Sequence, residues 1–228
     1  MLLRYFLWWL GCIISVAMVN PAQAQSLPKQ TQSVSDLTSQ IIDARVAGKM
    51  QRADELAEQF MHLAQSQNDF SLEGQALYQQ ARNAMERNRY DLAQSKLTEA
   101  IERFKRIDDQ PRLAEAYRRM GLIYRYQSNY SQALQYVYLS MQIFQQLDDK
   151  DAISSVYNSI GVVLEKMGYY EEALEAHQQA LEMNTALNDQ SGVATALYNI
   201  ADLRRVMGDL DTALRYFEDA LQLDIASG

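Results

Sequence analysis

Ala53, Ala93, Ala133, Ala173 and Ala213 stand forty positions apart. The same interval separates Gly48, Asn88, Ser128, Gly168 and Gly208, and again Met50, Tyr90, Tyr130, Tyr170 and Leu210. A fourth register holds Asp69, Asp109, Asp149 and Asp189. Four registers kept in phase define an internal repeat. Such a repeat dictates the architecture, because each short unit can bury its apolar face only against its neighbours.

Each register has a physical task. The Gly/Asn/Ser column separates two segments of helical apolar spacing, where a chain leaving a helix needs the left-handed conformation that glycine and asparagine tolerate. Two residues later the large Met, Tyr or Leu side chain covers the turn. The alanine that follows is small because two helices must approach closely there. The aspartate column precedes the next helix, where a carboxylate accepts orphan backbone N–H groups. Pro111, two residues after Asp109, suits a first helical turn. One unit therefore reads helix A, turn, helix B, turn. In the fourth copy the spacing predicts helix A over 152–167 and helix B over 170–187. Val156, Tyr157, Ile160, Gly161 and Leu164 form one stripe, and Ala173, Leu174, His177, Ala180 and Leu181 the other.

These columns resemble the tetratricopeptide repeat (TPR) family. Tyr117, Met120, Gly121, Tyr124, Ala133 and Ser140 fill its template, as do Tyr157, Ile160, Gly161, Leu164, Ala173 and Ala180. The fifth copy departs at Arg204 and the second at Gln80, while the first, around Ile41 and Ala53, is the weakest. The period of forty exceeds the commoner thirty-four, with the glycine-to-alanine offset unchanged. That longer form resembles the repeats of kinesin light chains and of scaffolding or peptide-sensing TPR proteins. HEAT-type and armadillo arrays share such periods but lack this Gly/Ala register. The resemblance implies an all-α fold, a right-handed superhelical α-solenoid of helix-turn-helix repeats. It covers 34–228, with units at 34–72, 73–112, 113–152, 153–192 and 193–228.

Residues 1–24 have the layout of a secretory signal peptide: a positive start at Arg4, an apolar run from Tyr5 to Val19, and an Ala-x-Ala site at Ala22 and Ala24. Fifteen apolar residues are short for a membrane span. Two other readings stand beside it. One is an uncleaved anchor. The other is a lipoprotein signal ending at Cys12, which has Trp9 where a leucine-like residue is wanted. A short segment, 25–33, follows. With the leader removed, the single cysteine goes too, and the mature chain has neither a disulfide nor a Cys-ligated metal. Only 20 of the 21 basic residues then remain against 29 acidic ones, a net charge of −9. That balance argues against nucleic acid as a partner. The expected location is the periplasm or another exported compartment, with anchorage to the inner membrane as the alternative.

Nothing in the sequence points to catalysis or to a cofactor. Of the two histidines, His177 falls on the buried stripe of helix B, in the column of Val137 and Phe217, and His62 is isolated. No Gly-rich phosphate loop, His-Glu-x-x-His or Gly-x-Ser-x-Gly pattern occurs. Recognition remains. The TPR resemblance implies that helix A of each copy lines a concave groove. The positions carried over are Tyr78, Arg82, Arg118, Arg125, Tyr126, Asn158, Lys166, Tyr198 and Arg205, among a lining of five basic and four acidic groups. A groove near neutrality in an acidic chain suits a peptide carrying some acid. Arginine would supply forked hydrogen bonds to carboxylates, tyrosine flat contact area, and Asn158 a hold on peptide backbone. The competing view is a merely solvated inner wall.

The final helix B ends LQLDIASG, with Gly228 in the column of Asn68, Asp108, Asp148 and Asn188. The stripe Leu214, Phe217 and Leu221 is therefore expected to lack a polar capping helix, which opens the way to oligomerisation through that repeat. Two functions follow. The first is an exported, non-catalytic TPR scaffold that holds a protein or peptide partner. The second is the truncated periplasmic sensor portion of a membrane signalling protein of the diguanylate cyclase or histidine kinase type. Contact with a membrane would come only through the signal peptide or a missing C-terminal region.

Overall fold

The computed structural model describes residues 33–227, so the leader, its cleavage site, Cys12 and nearly all of 25–33 lie outside the described residues. The described residues are all-helical. Ten helices follow in order: α1 (Val34–Val46), α2 (Met50–Gln67), α3 (Phe70–Glu86), α4 (Tyr90–Arg106) and α5 (Gln110–Tyr126), then α6 (Tyr130–Gln146), α7 (Lys150–Met167), α8 (Tyr170–Leu187), α9 (Gln190–Val206) and α10 (Leu210–Ser227). From α2 onward each helix packs on the next, and α7 also touches α5 and α9. The architecture is an α-solenoid in which odd-numbered helices are the A helices and even-numbered ones the B helices. The unit boundaries drawn from the sequence fall within the first turn of each A helix from α3 onward.

The turns explain the glycine column. Gly48, Asn88, Ser128, Gly168 and Gly208 all have positive φ, between 55° and 88°. The connections between repeats use the same device: Asn68, Asp108, Asp148 and Asn188 also have positive φ, between 51° and 57°. Left-handed residues thus recur every twenty positions. At the α7 end the Gly168 N–H donates to Glu165 O (3.0 Å) and the Tyr169 N–H to Leu164 O (3.0 Å), which satisfies carbonyls that the helix leaves open. On the entry side Asp69 accepts from the Ser71 and Leu72 amides, Asp109 from Arg112 and Asp149 from Ala152. Asp189 makes no such bond, so three of the four aspartates act as caps.

The alanine column is buried throughout. Close approach is sharpest at the glycines of the A helices. A Cβ on Gly121 would stand 2.6 Å from Val137 Cγ2, and one on Gly74 would stand 2.6 Å from the Phe104 ring. Larger apolar side chains fill the remaining space. Leu77, Leu97, Phe104 and Met120 form one cluster across α3, α4 and α5, while Val137, Phe144, Val156 and Ile160 form the next across α6 and α7. Fully burying such a side chain contributes about 1.5–3 kcal/mol. The core therefore runs from one hairpin into the next and has no single centre. Its last exposed surface is on α10, where Leu214 and Leu221 are 59% and 58% exposed.

Candidate functional site

All nine candidate residues lie on A helices: Tyr78 and Arg82 on α3, Arg118, Arg125 and Tyr126 on α5, Asn158 and Lys166 on α7, and Tyr198 and Arg205 on α9. Their charges are largely neutralised in place. Arg118 binds Glu115 through Nε and Nη2, both at 2.8 Å. Lys166 Nζ donates to Glu165 at 2.7 Å, and Arg205 Nε and Nη2 donate to Asp202 at 2.9 and 2.6 Å. Each pair lies within one helix, three or fewer residues apart. Three of the four lining acids are thereby taken. Among the described residues Arg82 and Arg125 remain outside any ion pair, and Arg125 rests instead over the Tyr126 ring, 4.5 Å from its centroid.

Tyr78 joins α3 to α5. Its hydroxyl donates to Glu115 Oε1 at 2.8 Å and accepts from Arg119 Nε at 3.2 Å, while the same Nε reaches Glu115 Oε1 at 3.0 Å. Burial, followed by the Glu115 charge, pushes the Tyr78 phenol up. Burial alone would push the Glu115 carboxyl up as well. The hydrogen bond and charge of Arg118, the charge of Arg119 and the Tyr78 bond outweigh it and hold that carboxyl below its ordinary value. Arg119 was not among the sequence candidates, although its place four residues after Glu115 is a spacing at which helical charges meet. Near this network Arg45 of α1 is buried and donates Nη2 to Gln79 Oε1 at 2.9 Å. Burial, with Arg82 close by, pushes its guanidinium down to about 10.

Asn158 is already committed within the protein. Its Oδ1 lies 3.1 Å from His177 Nδ1 and accepts from Asn199 Nδ2 at 3.4 Å. With Oδ1 as acceptor, His177 carries its proton on Nδ1, which leaves Nε2 buried without a partner. Burial lowers the His177 pKa to about 4. The ring is a packed element of the core, flanked by Gly161.

Hollows gather some of the nine residues and omit others. Arg118, Arg125 and Asn158 line one of about 300 Å³, with Leu122, Ser155, Val162 and Thr195. Ser159 and Val163, also unforeseen, complete part of its wall. Arg82 and Tyr126 line a second of about 190 Å³ together with Glu86 and Arg119, and Tyr126 stacks on Tyr90 at 5.3 Å there. Tyr78 borders a third of about 150 Å³ beside Glu115. Lys166, Tyr198 and Arg205 stand outside these three; Tyr198 is 57% exposed and meets Phe217 edge-on at 5.3 Å. Among the described residues no group of three or more His, Cys, Asp or Glu side chains is placed to hold a metal ion. No helix there is long and apolar enough to cross a membrane.

Comparison with known proteins fits this geometry. Solved structures show the same fold at low identity. BtubC from P. vanneervenii superposes with a TM-score of 0.74 at 19% identity, over 85% of this chain and 80% of that one. A Rap protein solved with Competence and Sporulation Factor gives a TM-score of 0.76 at 12% identity, over 89% of this chain but only 57% of its own. The kinesin-light-chain TPR-like repeats of Podosopora anserina give 0.66 at 15% identity, over 85% and 97%. Comparison with curated protein sequences yields no match. The family model for the tetratricopeptide repeat matches residues 72–146 and 151–226. With two thirds of its length matched and helix hairpins throughout those segments, this chain belongs to the tetratricopeptide repeat family.

Proposed function

We propose that this chain is a non-catalytic interaction module of the long, forty-residue TPR form, and that it holds a peptide or protein segment along its A helices. The observation that carries the reading is the hollow of about 300 Å³ between α5, α7 and α9, where Arg118, Arg125 and Asn158 converge. Its volume lies at the lower end of the range that accepts a compact ligand. The Rap protein, similar in fold, was solved with a bound factor, which accords with a binding role for the same architecture here. The leader pattern supports export, with cleavage near Ala24 and residence in the periplasm.

Partner capture from periplasmic extract tests the groove. The Arg118→Glu and Arg125→Glu double variant should lose capture while keeping its helical circular dichroism. Unchanged capture would move binding off the A helices. The intact mass of the periplasmic product, with the transcript read across the Gly228 codon, tests the rest. A product lacking residues 1 to 24 supports the exported module, and a frame running on into an apolar span supports the sensor reading.

A further inference from the structure

Side chains bridge α1 to α3 through Arg45 and Gln79, and they also bridge α3 to α5 and α7 to α9, but among the described residues no side-chain hydrogen bond joins α5 to α7. Tyr78 meets Arg119 across α3 and α5 at 3.2 Å, and Asn158 meets Asn199 across α7 and α9 at 3.4 Å. Both bridges join residues forty-one positions apart. The equivalent pair across α5 and α7 is Arg118 and Ser159. Arg118 turns back along its own helix to Glu115, and Ser159 Oγ donates to Ser155 O within α7 at 3.0 Å. No side-chain hydrogen bond joins Arg118 to Ser159, and the hollow of about 300 Å³ opens at this junction.

The chemistry of the opening is specific. Its seat is aliphatic: Leu122 and Val162, both half-buried, line it over the buried Val137 and Val163. A Cβ on Gly121 would collide with Val137 Cγ2, so the bare backbone there is a packing requirement beneath the seat. At the rim Arg125 keeps a guanidinium outside any ion pair among the described residues, and it rests over the Tyr126 ring. An apolar seat beside an uncompensated cation matches an aliphatic side chain next to a carboxylate, and a charge-assisted bond to guanidinium is about twice as strong as a neutral one.

Building on the groove reading above, we infer that this missing bridge forms the anchor subsite of the groove. It takes a peptide segment in which an aliphatic residue is followed by an acidic one. The aliphatic side chain seats on Leu122 and Val162, and the carboxylate pairs with Arg125.

The probe is the peptide acetyl-Ala-Leu-Asp-Ala-amide, followed by methyl NMR of the mature chain. Saturable shifts are expected at the Leu122 and Val162 methyls. Binding should weaken about tenfold, a loss of about 1.4 kcal/mol, when the peptide's Asp becomes Asn, and similarly when its Leu becomes Gly. In Arg125→Gln the Asp and Asn peptides should bind alike. Ser159→Leu, which fills the hollow, should abolish binding of every peptide at an unchanged melting temperature. Absence of shifts at these methyls at millimolar peptide overturns the inference, as does equal affinity for the Asp and Asn peptides in the unmodified chain. Should Ser159→Leu lose helicity, the Arg125→Gln comparison decides by itself. If the peptide fails while the Arg118→Glu and Arg125→Glu chain still loses partner capture, the groove reading stands and the anchor subsite alone falls.

Discussion

The His177 ring lies against Gly161 so closely that a Cβ on the glycine would stand 2.6 Å from its Nε2. One repeat earlier Val137 occupies the same place above Gly121. The sixteen-residue offset between partners is identical in the two hairpins, so this contact sets how near helix A can come to helix B. Gly161→Ala should therefore destabilise the chain. Overpacking costs about 1–3 kcal/mol, and the better helix propensity of alanine returns about 1 kcal/mol. A melting temperature a few degrees lower is expected; a higher one would mean that the ring is easily displaced.

The same histidine gives the fold an acid-sensitive point. Its folded pKa is about 4 against an ordinary value of 6.5, so the unfolded chain binds the extra proton first as pH falls. Stability is fully present above about pH 6.5 and declines as pH drops toward 4, by about 3 kcal/mol in all. His177→Val, which copies the hairpin of Val137, should flatten this dependence. Urea unfolding at pH 7.5 and pH 5 measures it. An equal loss in both proteins would assign the acid sensitivity to other groups.

Asn83 is buried with both amide atoms unpartnered, in the column that Ile123, Val163 and Leu203 fill in later repeats. A buried polar group without a hydrogen bond costs about 1–3 kcal/mol. Asn83→Leu should raise the melting temperature, and calorimetry checks it. No change would show that a bound water already satisfies the amide.

Legibility in the sequence divides along a physical line. The turn and alanine columns were readable because a left-handed φ and a close helix crossing each admit few residue types. Cross-helix side-chain contacts admit many. Asn158 belongs to the A stripe by position, yet His177, nineteen residues on in helix B, takes its oxygen. The near-neutrality of the candidate positions was visible by counting, but the local pairing that leaves Arg82 and Arg125 outside ion pairs among the described residues depends on which way each guanidinium turns. Arg119, one residue off the stripe, escaped a pattern that assigns whole positions to one face.

Ser128 holds a φ of 60° in the column where Gly48, Gly168 and Gly208 stand. A residue with a Cβ is strained there by about 1–2 kcal/mol, against a smaller gain from its reduced freedom when unfolded. Ser128→Gly should stabilise by about 0.5–1 kcal/mol. Chemical denaturation would show a shifted midpoint at constant slope, and a lower midpoint would contradict the strain.

The left-handed residues at every twentieth position make the chain's length quantised. Adding or removing one residue inside a helix turns everything beyond it by about 100°, which carries apolar stripes out of the core. A change of twenty, cut between two turns, adds or removes one helix, so it reverses the chain direction and puts B helices where A helices belong. Only steps of forty, cut between two equivalent turns, return every side chain to a compatible neighbour. Descendants of such a chain are therefore free to grow or shorten by duplicating or losing whole hairpins, and the α5–α7 opening can be carried to a new place in the array without being redesigned.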